Sequence, residues 1–127
     1  MREEIIKRFE EIDTHNLALL SMRTERREEV DNLILEIAGA YDKADEKYEL
    51  RFEDMTYLKT DIDFASKRVT ADVMYGARCH SESPWIKSLI ESNPYDNFSA
   101  YLHFEIGLIP KSGGIDLLAR DFSMRRL

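Results

Sequence analysis

Cysteine and proline are scarce: Cys79 is the one thiol, and Pro84, Pro94 and Pro110 are the three prolines in 127 residues. A lone cysteine excludes an internal disulfide. No run approaches the roughly 18 apolar residues that a membrane helix needs. The opening MREEIIKRF has no long apolar core, so it does not read as a signal peptide. A cytoplasmic protein with no membrane association is the expectation. Positive charge is also short, with 18 Lys and Arg against 25 Asp and Glu and a net charge of −7. That balance argues against a general affinity for nucleic acid, which needs a basic surface. Internal repeats and low-complexity segments are absent.

Catalytic motifs are missing too. Cys79 and His80 are neighbours on a predicted strand, so they point to opposite faces and cannot form a nucleophile–base pair. Cys79 reads as a buried, inert thiol. Ser112-Gly113-Gly114 lacks a following Lys-Ser/Thr and reads as a hairpin turn rather than a phosphate cradle. His15 sits in a capping segment and reads as structural. No cofactor and no metal are expected.

What is present is patterned. Hydrophobic residues make up 43% and charged residues 34%, which suits one domain, 1–127, with a single core and a rich surface. The clearest pattern is Phe98–Ile109. Ala100, Leu102, Phe104, Ile106 and Leu108 alternate with Ser99, Tyr101, His103 and Glu105, as in a strand with one dry face. Three further strands are predicted at 48–55, 58–65 and 67–79, joined by short polar turns and therefore antiparallel neighbours. Ser83 caps a helix over 84–92 that opens on Pro84 and buries Trp85, Ile86, Leu89 and Ile90. A last strand over 115–123 returns along 98–109, with Leu118 and Phe122 off the parity of Ile115, Leu117 and Ala119.

The first 47 residues read as helical. No proline interrupts them, Ile5, Phe9 and Ile12 recur at helical spacing, and Leu19, Met22, Val30, Leu33 and Ile37 do so again. A break lies within 13–24. The prediction is a helical hairpin, 2–20 and 24–47, or one helix on the order of 65 Å long that would need a second copy to cover it. Met1–Glu49 holds 8 Lys/Arg against 14 Asp/Glu, so this arm is also an acidic module. The expected fold class is α+β: an N-terminal helical hairpin or single long helix, then a five-stranded antiparallel sheet with one intervening helix (α-α-β-β-β-α-β-β).

Two sets of side chains are candidates for function. Glu25, Glu28 and Glu29 give the acidic arm a face that could attract a basic protein. Tyr57, Trp85, Tyr95 and Tyr101 are aromatic residues beside polar ones, as protein interfaces prefer. The second set is His103 and Glu105, which share a strand face and could do acid–base work if that face lined a pocket. Asp61 and Asp63 could join them. As a carboxylate pair without a third ligand, Asp61 and Asp63 read as a solvent-facing strand edge.

The order helix, three strands, helix, two strands, with the acidic pI, resembles type III secretion chaperones, small dimers that hold a partly unfolded client. The strand pair TDIDF…RVTADV, ending near His80, is similar to NTF2-like domains, whose curved sheet wraps a pocket and which include isomerases and dehydratases. These resemblances imply architecture alone. The expected function is a non-catalytic protein-binding protein (adaptor, chaperone or inhibitor) acting as a homodimer. The alternative is a pocket protein, a small-molecule carrier or enzyme, using His103 and Glu105.

Overall fold

The computed structural model describes residues 2–12, 14, 17–39, 46–60, 73–92, 100–109 and 113–127. Eight strands and two helices follow in the order α1 (Arg2–Glu10), β1 (Leu17–Arg27), β2 (Val30–Gly39), β3 (Lys47–Glu53), β4 (Tyr57–Thr60), β5 (Val73–His80), α2 (Pro84–Ser92), β6 (Leu102–Ile109), β7 (Gly113–Ala119) and β8 (Asp121–Arg126). All strand pairings are antiparallel. Strands pair in the order β4-β7-β6-β5-β1-β2-β3-β8. Among the described residues, the central join, β5 to β1, shows the one register pair Ala18↔Val73. The architecture is therefore two four-stranded sheets, β1-β2-β3-β8 and β4-β7-β6-β5, hinged at that join.

The far sides of the two sheets are joined by continuous chain. β3 runs on into β4 and β7 into β8, so 47–60 leaves the first sheet for the second while 113–126 does the reverse beside it. Backbone bonds bridge the crossing: Thr56 N–H donates to Leu118 O (2.9 Å) and Arg120 N–H to Glu53 O (3.0 Å). Strands that bend and change sheets make the corner of such a sandwich.

The core lies between the sheets. Leu33, Leu35, Ile37, Leu50 and Phe52 come from one; Leu102, Phe104, Ile106, Ile115 and Leu117 come from the other. α1 adds Phe9, fully buried, with ring centroids 4.9 Å from Phe104, 5.0 Å from Phe122 and 5.8 Å from Phe52. Its edge-on contacts are the favoured geometry for aromatic clusters. Neither helix among the described residues is long and apolar enough to cross a membrane.

The predicted helical hairpin is overturned. Among the described residues of 2–47, only Arg2–Glu10 is helical; Leu17–Arg27 and Val30–Gly39 are paired strands. The acidic arm is thus mostly sheet. In β2, Leu33, Leu35 and Ile37 face the core while Ile34 is buried on the opposite face, flanked in register by Arg23 and Arg51. The stems of those two arginines can cover it. An apolar run with both faces occupied cannot be told from a helix by periodicity. The turn gives no signal either: Glu28 and Glu29 take φ of 50° and 67° where such two-residue turns prefer Asn-Gly.

The five-stranded sheet is corrected as well. β3, β4 and β5 are not successive hairpin neighbours: β3 pairs with β2 and β8, β4 with β7, and β5 with β6 and β1. The ends of the predicted strands 58–65 and 67–79 lie partly outside the described residues. Among the described residues, the element order behind the secretion-chaperone resemblance is replaced by one helix, five strands, one helix and three strands; of the pair TDIDF…RVTADV behind the NTF2-like resemblance, 61–72 lie outside the described residues. What holds is the antiparallel pairing, α2 over 84–92, and β6 flanked by partners on both sides. Ser83 caps α2, its Oγ accepting from Ile86 N–H at 3.2 Å. The odd parity of β7–β8 is explained by the bend at Arg120. Before it, Leu117 faces the core and Leu118 faces α2; after it, Phe122 returns to the core.

Candidate functional site: a histidine–carboxylate cluster under helix α2

The outer face of the second sheet carries the polar parity of β5, β6 and β7. Register sets two rows across it. One reads Arg78, Glu105, Asp116, Lys59; the next reads His80, His103, Leu118, Tyr57. Helix α2 covers part of the second row, where Ile86 and Leu89 pack with Leu118 and Tyr101. Trp85 stacks on the His103 ring at 5.0 Å and 10°. His103 is consequently only 8% exposed.

Glu105 and Asp116 stand directly opposite each other on neighbouring strands. Like charges so placed repel. Each is met by an imidazole on the diagonal: His80 Nε2 pairs with Glu105 Oε2, and His103 Nε2 lies 2.8 Å from Asp116 Oδ1. The His80 hydrogen bond holds the Glu105 carboxyl below its ordinary value against the opposing effect of partial burial, with the charges of His80, His103 and Arg78 adding to the lowering. One donor atom each from His103, Glu105 and Asp116 lies within 4.8 Å of the other two. Beside them an open depression of about 380 Å³ is lined by Gly76, Gly107 and Gly114, which follow one another across three strands, and by Arg78, Glu105 and Asp116.

Sequence reasoning had named His103 and Glu105, and the structure puts them together, but on the outer face rather than inside a wrapped sheet. Tyr101 is not with them. It is 6% exposed and packs with α2. Burial raises its hydroxyl pKa, and the Asp54 carboxylate raises it further. That burial removes it from the interface candidates. Asp61, Asp63 and Tyr95 lie outside the described residues. His80 and Asp116 were missed. Asp116 was findable, since it alternates with Ile115 and Leu117 and so shares the polar side of the returning strand. His80 was not, because β5 and β6 are separated by α2 and their register leaves no local trace. Cys79 is buried behind the sheet, its thiol pushed up to about 12 by burial and by Glu10.

The interface candidates divide. Glu25 pairs with Arg51 (3.2 Å) and Arg27 (2.9 Å), within an alternating chain that continues from Arg51 to Glu49 (3.1 Å) and on to Arg125 (2.5 Å). It is not a free acidic face. Glu28 and Glu29 sit exposed in the β1–β2 turn. Tyr57 is 52% exposed, and every residue of β4 is exposed. Along α2, Pro84, Ile86 and Ile90 line a groove of about 780 Å³ whose rim carries Arg2, Lys87, Glu82 and Glu91. No family model, curated protein or solved structure matches the chain.

Proposed function

We propose that the protein is a non-catalytic binding protein that acts through another protein, as an adaptor, chaperone or inhibitor. The observation that carries this is the exposed strand β4, with Tyr57 at its start. Tyr57 lies between two other candidate contacts. On one side, Met55 N–H donates to Asp31 O at 2.7 Å, which brings the Glu28–Glu29 turn to the same end of the sheet. On the other side, Tyr57 is in register with Leu118, the residue on which α2 sits. The α2 groove follows, with Ile90 41% exposed. An aromatic residue with apolar and charged neighbours is the usual make-up of a binding centre. The partner that fits has apolar side chains for Tyr57 and Ile90 and basic groups for Glu28 and Glu29.

The test is affinity capture from the native cell, with light scattering on the isolated chain to read its homodimerisation. Tyr57→Ala is expected to weaken partner binding by at least about tenfold, the effect of losing an aromatic anchor. Glu28→Lys with Glu29→Lys is expected to weaken it less, and mainly at low salt. A monomer that captures no protein overturns the proposal.

A further inference from the structure

We infer that His103, Glu105 and Asp116 form a binding site for a first-row divalent transition metal, of the zinc class. The inference goes beyond partner docking and stands independently of it. It also departs from the sequence-based expectation of no metal, because the ligands come together only through the pairing of β6 with β7.

The geometry has four parts. First, three side chains of ligand type bring one donor atom each to within 4.8 Å of the others. One imidazole nitrogen and two carboxylate oxygens suit a borderline cation such as Zn²⁺ or Co²⁺. Second, the two carboxylates oppose each other on adjacent strands, an arrangement that repels without a cation between them. Third, the donors are already held. Trp85 stacked at 10° fixes the plane of His103, and His80 Nε2 holds Glu105 Oε2. His80 is therefore a positioning residue rather than a ligand. Fourth, the site opens on the glycine-floored depression, so an ion reaches it from solvent and keeps room for water or a further ligand.

Metal binding exchanges hydrogen bonds for coordination. His103 Nε2 now faces Asp116 at 2.8 Å; on ligation its lone pair points at the metal and the ring proton resides on Nδ1. Among the described residues, Nδ1 is buried with no hydrogen-bond partner. Ligating histidines ordinarily donate that proton to an acceptor, which raises affinity. Its absence here is expected to leave the affinity about 10–100-fold below that of a site whose histidine is so supported.

The experiment is calorimetric titration of the full chain with Zn²⁺ alone, and with Co²⁺ alone while recording its visible absorption. One equivalent is expected to bind, with a cobalt spectrum of low coordination number. Glu105→Gln and His103→Gln are each expected to weaken binding by well over about tenfold, and His80→Gln by about tenfold, the usual cost of losing a supporting residue. Glu53→Gln, exposed on β3 of the other sheet, is the control and leaves the affinity unchanged. Far-UV circular dichroism checks each variant. If His103→Gln fails to fold, Glu105→Gln decides, because Glu105 is partly exposed and outside the core. No saturable binding by the intact chain, or binding that Glu105→Gln and His80→Gln leave unchanged, overturns the inference.

Discussion

Phe9 is the one fully buried side chain of α1, and its ring meets three others edge-on. Phe9→Ala would leave a cavity bounded by both sheets, and large-to-small changes at such sites cost about 3–5 kcal/mol. Urea unfolding checks this; a loss under about 1 kcal/mol would mean that α1 is not part of the core. Glu49 makes a different case. It is 6% exposed, and its carboxyl is held below the ordinary 4.5 mainly by the hydrogen bond from Arg125, against burial and with Arg51 helping. A folded-state value below the unfolded one contributes stability that is present above about 4.5 and is lost as pH falls through the lower, folded value. The stability gap between the natural chain and Glu49→Gln is therefore expected to be flat above about pH 5 and to shrink below about pH 4.5, as measured by urea unfolding across that range. Phe9 was legible as part of an Ile5–Phe9–Ile12 stripe, because helical spacing is local. Glu49 as the centre of a chain of ion pairs was not, because Arg125 reaches it from 76 residues away.

Among the elements, β1–β2 was the hardest to foresee. Its alternation is hidden by the run LILEIA, and the turn carries two glutamates at positive φ. Left-handed backbone costs a residue other than glycine or asparagine roughly 1–2 kcal/mol. Asn and Gly take that conformation readily, so Glu28→Asn with Glu29→Gly is expected to raise stability by about 1–2 kcal/mol without altering the sheet spectrum. Were the segment the predicted helix, the same pair of changes would lower stability, because glycine weakens helix interiors by about 1 kcal/mol. Thermal unfolding of this one variant thus decides between the two local structures. By contrast the bounds of α2 were readable, since Ser83, Pro84 and the apolar stripe are signals within a few residues of each other, but Ile90 of that stripe is exposed rather than buried. The strand through Phe104 was readable for the same reason, and with it two of the three candidate metal ligands.

At the scale of the molecule, the fold depends on pairing 47–60 with 113–126, which no local pattern encodes. Asp54 and Arg120 stand at the two bends where these segments change sheets. Asp54 takes φ of 55°, its N–H donates to Asn32 Oδ1 at 3.0 Å, and its carboxylate pairs with Arg120 Nε at 2.9 Å. Arg120 also lies over the Tyr101 ring at 5.3 Å. The corner therefore needs both a left-handed residue and an acid. Asp54→Gly keeps the first and loses the second; Asp54→Ala loses both. If the bend is strained as described, Asp54→Ala destabilises more than Asp54→Gly, by about 1–2 kcal/mol, although alanine outside such a bend is ordinarily the better-tolerated replacement. Arg120→Ala removes the partly exposed ion pair, the ring contact and the hydrogen bond to Tyr101, and should cost about 1 kcal/mol. Chemical unfolding of the three variants gives the order. Equal losses for Asp54→Ala and Asp54→Gly would show that residue 54 is not left-handed, and that 47–60 does not bend from one sheet to the other at this point.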